Sequence, residues 1–313
     1  TSDNRIAGAL TPGTVQSTAI GVVTQAGTSS VSVELLNGLE VSGDAGLLEH
    51  EAAARLGELV TVSSYRAGQI SIAPLTSSGT YSSLDLVNKT IGGLELSAGL
   101  KIFERVGKSE LVSISLDKLT QKSISSSKIL YAARDYSGKI GTLILNDVTG
   151  DRYTYGILIG DEVTVNFPGG TESKNRTVKV ENHNGFSDEL ITGMSFADGA
   201  MGGVVADAAR EKTAGIVQLI EVKNISRNAF RNEGDKVIAS LPDMEIPVSS
   251  DVVCYNKTTD TWFNSPGVDP LDAARAYSDS LTLYYDRSPD EGGKVARRCC
   301  KLISQLAALI QSA

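Results

Sequence analysis

Short stretches in which every second side chain is apolar recur along this chain: VSVELL, ELVTVSSY, QISIAPL, EVTVNF and RTVKVEN. Alternation with period two places the apolar set on one face of an extended strand and leaves the other face to water. Turn-forming residues separate these runs, so the pattern predicts antiparallel strands joined by tight bends. Two segments break it. Residues 47–58, LLEHEAAARLGE, carry Leu47, Leu48, Ala52 and Leu56 at helical spacing and predict a short helix. The tail CKLISQLAALIQSA aligns Leu302, Leu306, Leu309 and Ile310 and predicts a C-terminal amphipathic helix over 299–313.

The strand pattern is written twice. LKIFERVGKSELVSISLDKL, from Leu100, runs like VVCYNKTTDTWFNSPGVDPL, from Val252: an apolar strand ending in an aromatic, Phe103 or Tyr255, then a polar turn and a second strand. Farther on, SKILYAARDYSGKIGTLIL matches SDSLTLYYDRSPDEGGKVARR, with Leu130-Tyr131 against Leu283-Tyr284 and Gly138-Lys139-Ile140 against Gly293-Lys294-Val295. Glycine supplies the positive φ that such hairpin turns need. Upstream, IGVVTQAGTSSVSVELLNG resembles YGILIGDEVTVNF…NRTVKVENHNG, each ending at Asn-Gly. GELVTVSSYRAGQISIAPL then faces GGVVADAAREKTAGIVQLIEV, predicting shared hairpin turns at Ala67-Gly68 and Ala214-Gly215. Four features keep their order at a separation of roughly 135 to 155 residues. The expected organisation is a linker-like segment over 1–19, a β-rich unit over 20–150, a second over 151–298, and the terminal helix from 299. The fold class is mainly β: two tandem homologous antiparallel barrel or sandwich units with a few short helices. Their joint falls at the turn-rich stretch Asn146–Asp151.

At 313 residues the chain has room for two domains, and 41% hydrophobic residues suffice for real cores. A net charge of -8 repels phosphate backbones and anionic membranes, which argues against nucleic acid as a partner. No apolar run approaches the roughly 20 residues of a membrane span, so membrane insertion is not expected. Three cysteines, Cys254, Cys299 and Cys300, are too few for a disulfide framework.

Candidate chemistry is sparse. His50 and His183 stand without further nitrogen or sulfur ligands at close spacing, so no metal site and no general base is expected. Arg297-Arg298 would favour a thiolate at Cys299-Cys300, but no histidine lies nearby. No P-loop, G-x-G-x-x-G or G-x-S-x-G is present, and neither a cofactor nor a catalytic residue is predicted. Asp135 and Asp286 recur beside the same hairpin, which turn chemistry explains more simply than paired-carboxylate hydrolysis. Asn146-Asp147…Asp151 offers oxygens of the kind calcium prefers, at a spacing that fits no EF-hand loop. Sequons at Asn88, Asn175, Asn224 and Asn256 arise readily in a chain this rich in Asn, Ser and Thr. Trp262, Tyr284, Tyr285, Tyr131 and Tyr136 are the candidate binding residues, as an aromatic platform for sugar rings.

Two hairpins also carry a family resemblance. YSGKIGTLILNDVTGDRYTYG, LTLYYDRSPDEGGKV and VVCYNKTTDTWF resemble the repeated region of exported proteins of Gram-positive anaerobes that carry S-layer homology domains. The resemblance implies an extracellular, wall-associated, non-enzymatic structural or adhesion module, with cell-wall polysaccharide or other surface proteins as partners. A carbohydrate- or peptidoglycan-binding module and a hydrolase with paired carboxylates are the alternatives. The resembling motifs are structural, so no functional residue carries over. After Gly-Gly-Lys-Val that family continues with a hydrophobic strand, where this chain reads Ala-Arg-Arg-Cys-Cys; the expectation is a terminal helix in the strand's place.

Overall fold

The computed structural model describes residues 17–28, 30–66, 68–75, 81–166, 172–233, 236–256, 261–263 and 280–300. Among them the regular structure is mainly strand, arranged in four sheets. The first holds β1 (Ser17–Ala26), β2 (Val31–Leu35), β3 (Glu40–Gly43), β4 (Leu59–Arg66) and β5 (Gln69–Pro74) in the order β3-β2-β1-β4-β5, with α1 (Glu49–Ala54) between β3 and β4. The second holds β6 (Leu84–Asp85), β7 (Thr90–Ile91), β8 (Leu94–Arg105), β9 (Val112–Ile114), β10 (Ser123–Ile124), β11 (Ile129–Arg134) and β12 (Ile140–Asn146). Its order is β10-β6-β7-β8-β12-β11, with β9 on β8.

The third sheet holds β13 (Thr154–Asn166), β14 (Glu172–Asn182), β15 (Gly185–Phe186), β16 (Leu190–Thr192), β17 (Met201–Ala206) and β18 (Thr213–Gln218), in the order β15-β14-β13-β17-β18 with β16 on β14. The fourth holds β19 (Ile220–Ser226), β20 (Phe230–Glu233), β21 (Lys236–Ser240), β22 (Glu245–Asn256), β23 (Thr261–Phe263), β24 (Ser280–Tyr285) and β25 (Val295–Cys300). It runs β19-β24-β25-β22-β21-β20, with β23 on β22.

The mainly-β class is as expected, and the sheets are open and sandwich-like rather than closed barrels. The two-sheet make-up of each half fits the sandwich alternative, and one point about strand pairing is a correction. Each half contains two sheets, and each sheet has its own apolar cluster, centred on Val33 and Val60, on Leu143 and Leu145, on Leu158 and Val180, and on Leu283 and Ile246. The pairing is also not purely antiparallel, because β8–β12 and β22–β25 are parallel. Long connections separate the partners in both cases, which alternation within single strands does not reveal.

The first and third sheets share their strand order, and one glycine in each meets the same obstacle. A methyl group on Gly21 would collide with the Val33 side chain and the Glu34 carbonyl; on Gly156 it would collide with the Val180 side chain and the Glu181 carbonyl. Three residues beyond Glu34 and Glu181 come Asn37-Gly38 and Asn184-Gly185, with both glycines left-handed at φ 79° and 93°. The second and fourth sheets share a less common irregularity. Ile140 opposes Leu96, and after a break Thr142 opposes Lys101. Val295 opposes Val248, and after a break Arg297 opposes Val253. In both, one strand advances two residues while its parallel neighbour advances five.

Several local expectations shift. The helix is Glu49–Ala54, shorter than 47–58, with Ala52 as its buried residue; its end leads into the left-handed Gly57. Ala214-Gly215 lies inside β18 rather than at a turn, because Asp207 closes the bend by accepting the Glu211 and Lys212 N–H groups. Tyr131 opposes Ile144 whereas Tyr284 opposes Arg297, so the hairpins match with Ala133, not Tyr131, at the place of Tyr284. Finally, β25 runs through Cys300, held by β22 on one side and β24 on the other. The strand that the terminal helix was expected to replace is therefore present. Residues 301–313, where the rest of that helix was placed, lie outside the described residues, as does most of the linker-like segment up to Gln16.

The close approach of strands at Gly21 and Gly156 makes a direct prediction. Gly21→Ala and Gly156→Ala should each lower the free energy of urea unfolding by about 1–3 kcal/mol, the usual cost of overpacking. An unchanged unfolding midpoint in either variant would contradict this packing.

Candidate functional site

The most heavily bonded polar region is the segment Asn146–Asp151, which leads from β12 into the second half. Glu104, fully buried near the end of β8, accepts the backbone N–H groups of Val148 and Thr149 at 2.6 and 2.7 Å, and the Thr149 hydroxyl as well. The parallel pairing of β8 with β12 is what brings the carboxylate to this turn. The next residue, Arg105, is 2% exposed and donates to the Gly57 carbonyl in the turn that leads from α1 into β4. Burial pushes its pKa down to about 10, so it remains a cation at neutral pH.

The second half closes on the same segment. Arg287 donates to the Asp147 carbonyl and to Asp147 Oδ1, both at 2.7 Å, and its Nε donates to Asp286 Oδ2 at 2.9 Å. The Arg287 side chain is 12% exposed and that of Asp286 2%. Burial works against the guanidinium charge, but the hydrogen bonds and charge of Asp147, with Asp286 behind them, prevail and raise its pKa. Lys294 reaches Asp151 at 3.0 Å, and the Tyr155 hydroxyl donates to the Gly150 carbonyl. Burial, and then the Asp286 charge, pushes the Tyr155 pKa up. Gly292, left-handed at φ 83°, sits where a Cβ would strike the Val148 carbonyl and Gln121. Two backbones touch there.

Asp135 and Asp286 play one local role in the two hairpins. Asp135 Oδ1 accepts the Lys139 N–H at 3.2 Å, and Asp286 Oδ1 accepts the Lys294 N–H at 3.1 Å. Both carboxylates close their own turns. Hydrogen bonds from Ser137, and then Ser97, hold the Asp135 carboxyl down to about 2. These contacts are complete above the ordinary carboxylate range and are lost as pH falls through that value.

The five candidate aromatics do not form one platform, although two of them, Tyr284 and Trp262, pack together. Tyr284 is buried, packs with Trp262, Met201 and Leu219, and donates its hydroxyl to Glu221 at 2.8 Å. Its neighbour Tyr285 packs half-buried against the fourth sheet's core. Tyr131 is half-buried on β11, where burial and then neighbouring Tyr81 raise its pKa. Tyr136 stands 89% exposed at the first hairpin's bend. His50 is exposed and His183 half-buried; Cys254 lies in β22, and Cys299 and Cys300 in β25. Among the described residues no group of three His, Cys, Asp or Glu side chains is arranged to hold a metal ion. Nor is any helix among them long and apolar enough to cross a membrane.

A cleft of about 310 Å³ between the second and third sheets is lined by Glu110, Arg152, Thr154, Asp188, Asp207 and Arg210, among others. Glu110 is bonded to Arg210 at 3.3 Å, and Asp207 closes its own turn, so two of the three carboxylates are already committed. Sequence reasoning missed Arg287 and Glu104. The available signal was the second hairpin's turn, which runs from Asp286 to Lys294 where its counterpart needs only Asp135 to Lys139. A scan of known protein-family models and a search of curated proteins return no match to this chain.

Two measurements test this geometry. Arg287→Met leaves buried Asp286 with backbone N–H donors alone and Asp147 with Lys128 as its one remaining cation, at 3.6 Å, and should cost roughly 3–5 kcal/mol in urea unfolding, with Arg287→Lys in between. A loss under 1 kcal/mol would argue that water already screens the pairs. In an NMR titration the Asp135 carboxyl should show a midpoint near 2, and Ser137→Ala should move it up toward the ordinary value of about 3.9.

Proposed function

We propose that this chain is a non-catalytic structural or adhesion module of an exported bacterial protein, built by tandem duplication of a two-sheet unit. The observation that carries the reading is the matched irregularity of the parallel pairs, two residues against five in both halves. A register break of this kind follows from no general rule of sheet formation, so its recurrence supports common descent of the halves. The glycines at 21 and 156 add independent support.

The polar groups fit a structural role. Glu104, Asp286 and Arg287 are spent on joining sheets, and Asp135 on a turn. Ion pairs buried between the halves oppose bending at the joint, as a spacer or a docking body on a surface requires. The scattered aromatics speak for packing over sugar stacking. The extracellular setting and the partners, cell-wall polysaccharide or other surface proteins, rest on the resemblance of the two hairpins.

Protease treatment of intact cells of the encoding organism tests the setting. The protein should be lost from shaved cells while a cytoplasmic marker survives. Full protection, with release only on lysis, would overturn the reading.

A further inference from the structure

The cleft between the second and third sheets holds charged groups that the fold leaves unused. Of its lining residues, Glu110 is paired with Arg210 and Asp207 closes its own turn. The Ser187 hydroxyl accepts the Val180 N–H and donates to the Asp188 carbonyl. Three side chains remain. Among the described residues no hydrogen bond or ion pair engages the Arg152 guanidinium, the Thr154 hydroxyl or the Asp188 carboxylate. The Arg152 Nε is shut off from solvent without a hydrogen-bond partner, a state that buried donors rarely keep. Cation and carboxylate line one space and are not paired with each other. Such a cavity is complementary to a ligand that carries both signs.

Arg210 points the same way. It is left-handed at φ 59°, a conformation that is costly for an arginine and free for a glycine. Its turn is built like that of Asp135. In each, the third residue after the aspartate donates its N–H to the aspartate carbonyl, Gly138 in one and Arg210 in the other. Nothing within the turn calls for an arginine at that place. Its pairing with Glu110 joins side chains 71% and 36% exposed, too wet to offset the strain. A long cationic side chain kept in a strained conformation beside a cavity implies a role at that cavity.

We propose that this cleft binds a small zwitterion, an aliphatic amino acid or a dipeptide with both ends free. Arg152 and Arg210 take the carboxylate, and Asp188 takes the ammonium group. The buried apolar lining of Leu190, Val204 and Val205 takes the hydrocarbon. At about 310 Å³ the cleft stands at the small end of ligand pockets, roughly 300–1,000 Å³, which suits a ligand of this size. Phosphate fits poorly, because Glu110, Asp188 and Asp207 would surround it with carboxylates. An uncharged sugar would leave both ions unpaired. The proposal adds a binding site to the structural reading and does not depend on the cellular setting.

The test titrates the full chain with L-leucine and with leucyl-alanine, read by calorimetry and by amide shifts in NMR spectra. At least one should bind saturably with a Kd of about 1 mM or tighter, and should move the Asp188, Leu190 and Val205 amides. N-acetyl-leucine lacks the ammonium and leucinamide lacks the carboxylate, so each should bind about tenfold or more weakly than leucine. Asp188→Asn, at an exposed position, should remove the preference for leucine over N-acetyl-leucine. Arg152→Met should remove the preference over leucinamide, and unfolding midpoints establish that each variant folds. Arg210→Gly should weaken leucine binding without lowering the unfolding midpoint. Absence of saturable binding by either probe, equal binding of N-acetyl-leucine, or full affinity in Asp188→Asn would each overturn the proposal. None of these outcomes touches the cell-shaving result, so the site and the setting fail separately.

Discussion

The architecture depends on a guanidinium held between two carboxylates at the boundary of the halves. Arg287, from the second half, is bonded at once to Asp147 of the joint and to Asp286 of its own hairpin. Desolvating a charge is costly, so such a group is tolerated only where its donors are matched in direction as well as in sign. Here the match extends inward. Asp147 lies beside Val148 and Thr149, whose N–H groups end on the buried carboxylate of Glu104. Arg105, next in sequence, carries the connection to the Gly57 carbonyl. One strand end therefore contacts the turn before β4 and the joint, and the joint contacts the fourth sheet.

This polar seam matters because the apolar cores are small. Four clusters each centre on one sheet, and a small fifth one around Tyr284 joins the third sheet to the fourth; divided cores of this size are marginal by themselves. Directional bonds between sheets add what packing within them lacks. They also fix orientation, since hydrophobic contact alone specifies angles poorly.

Much of the fold was legible in the residues. Alternation in VSVELL and RTVKVEN located strands, and Asn37-Gly38 and Asn184-Gly185 located their bends. The ordered recurrence of these features said nothing of the order in which the strands pair, which the structure supplies. What alternation does not encode is which distant strands meet. The parallel pairing of β12 with β8 depends on the connection through β9 to β11, so Glu104 gave no sign of its place beneath the joint. The hairpin alignment erred by two residues at Tyr131, because side chains two apart share a face and hydropathy does not distinguish them. At the C-terminal end, Arg297-Arg298-Cys299-Cys300 looked unlike a strand by hydropathy, yet neighbours on both sides impose the extended form. For the candidate binding residues the sequence offered only residue type. The structure separates Tyr284, inside, from Tyr136, outside, and hydropathy had no means to do so.

Native-state amide hydrogen exchange tests the seam most directly. The Val148 and Thr149 amides end on Glu104, and the Lys294 amide ends on Asp286, so they lie on opposite sides of the Arg287–Asp147 contact. If that contact joins the halves into one cooperative body, the three amides should exchange through a common opening, with equal protection and the same dependence on urea. Rapid exchange at Lys294 while Val148 and Thr149 stay protected would show two halves that open independently, and would contradict the account.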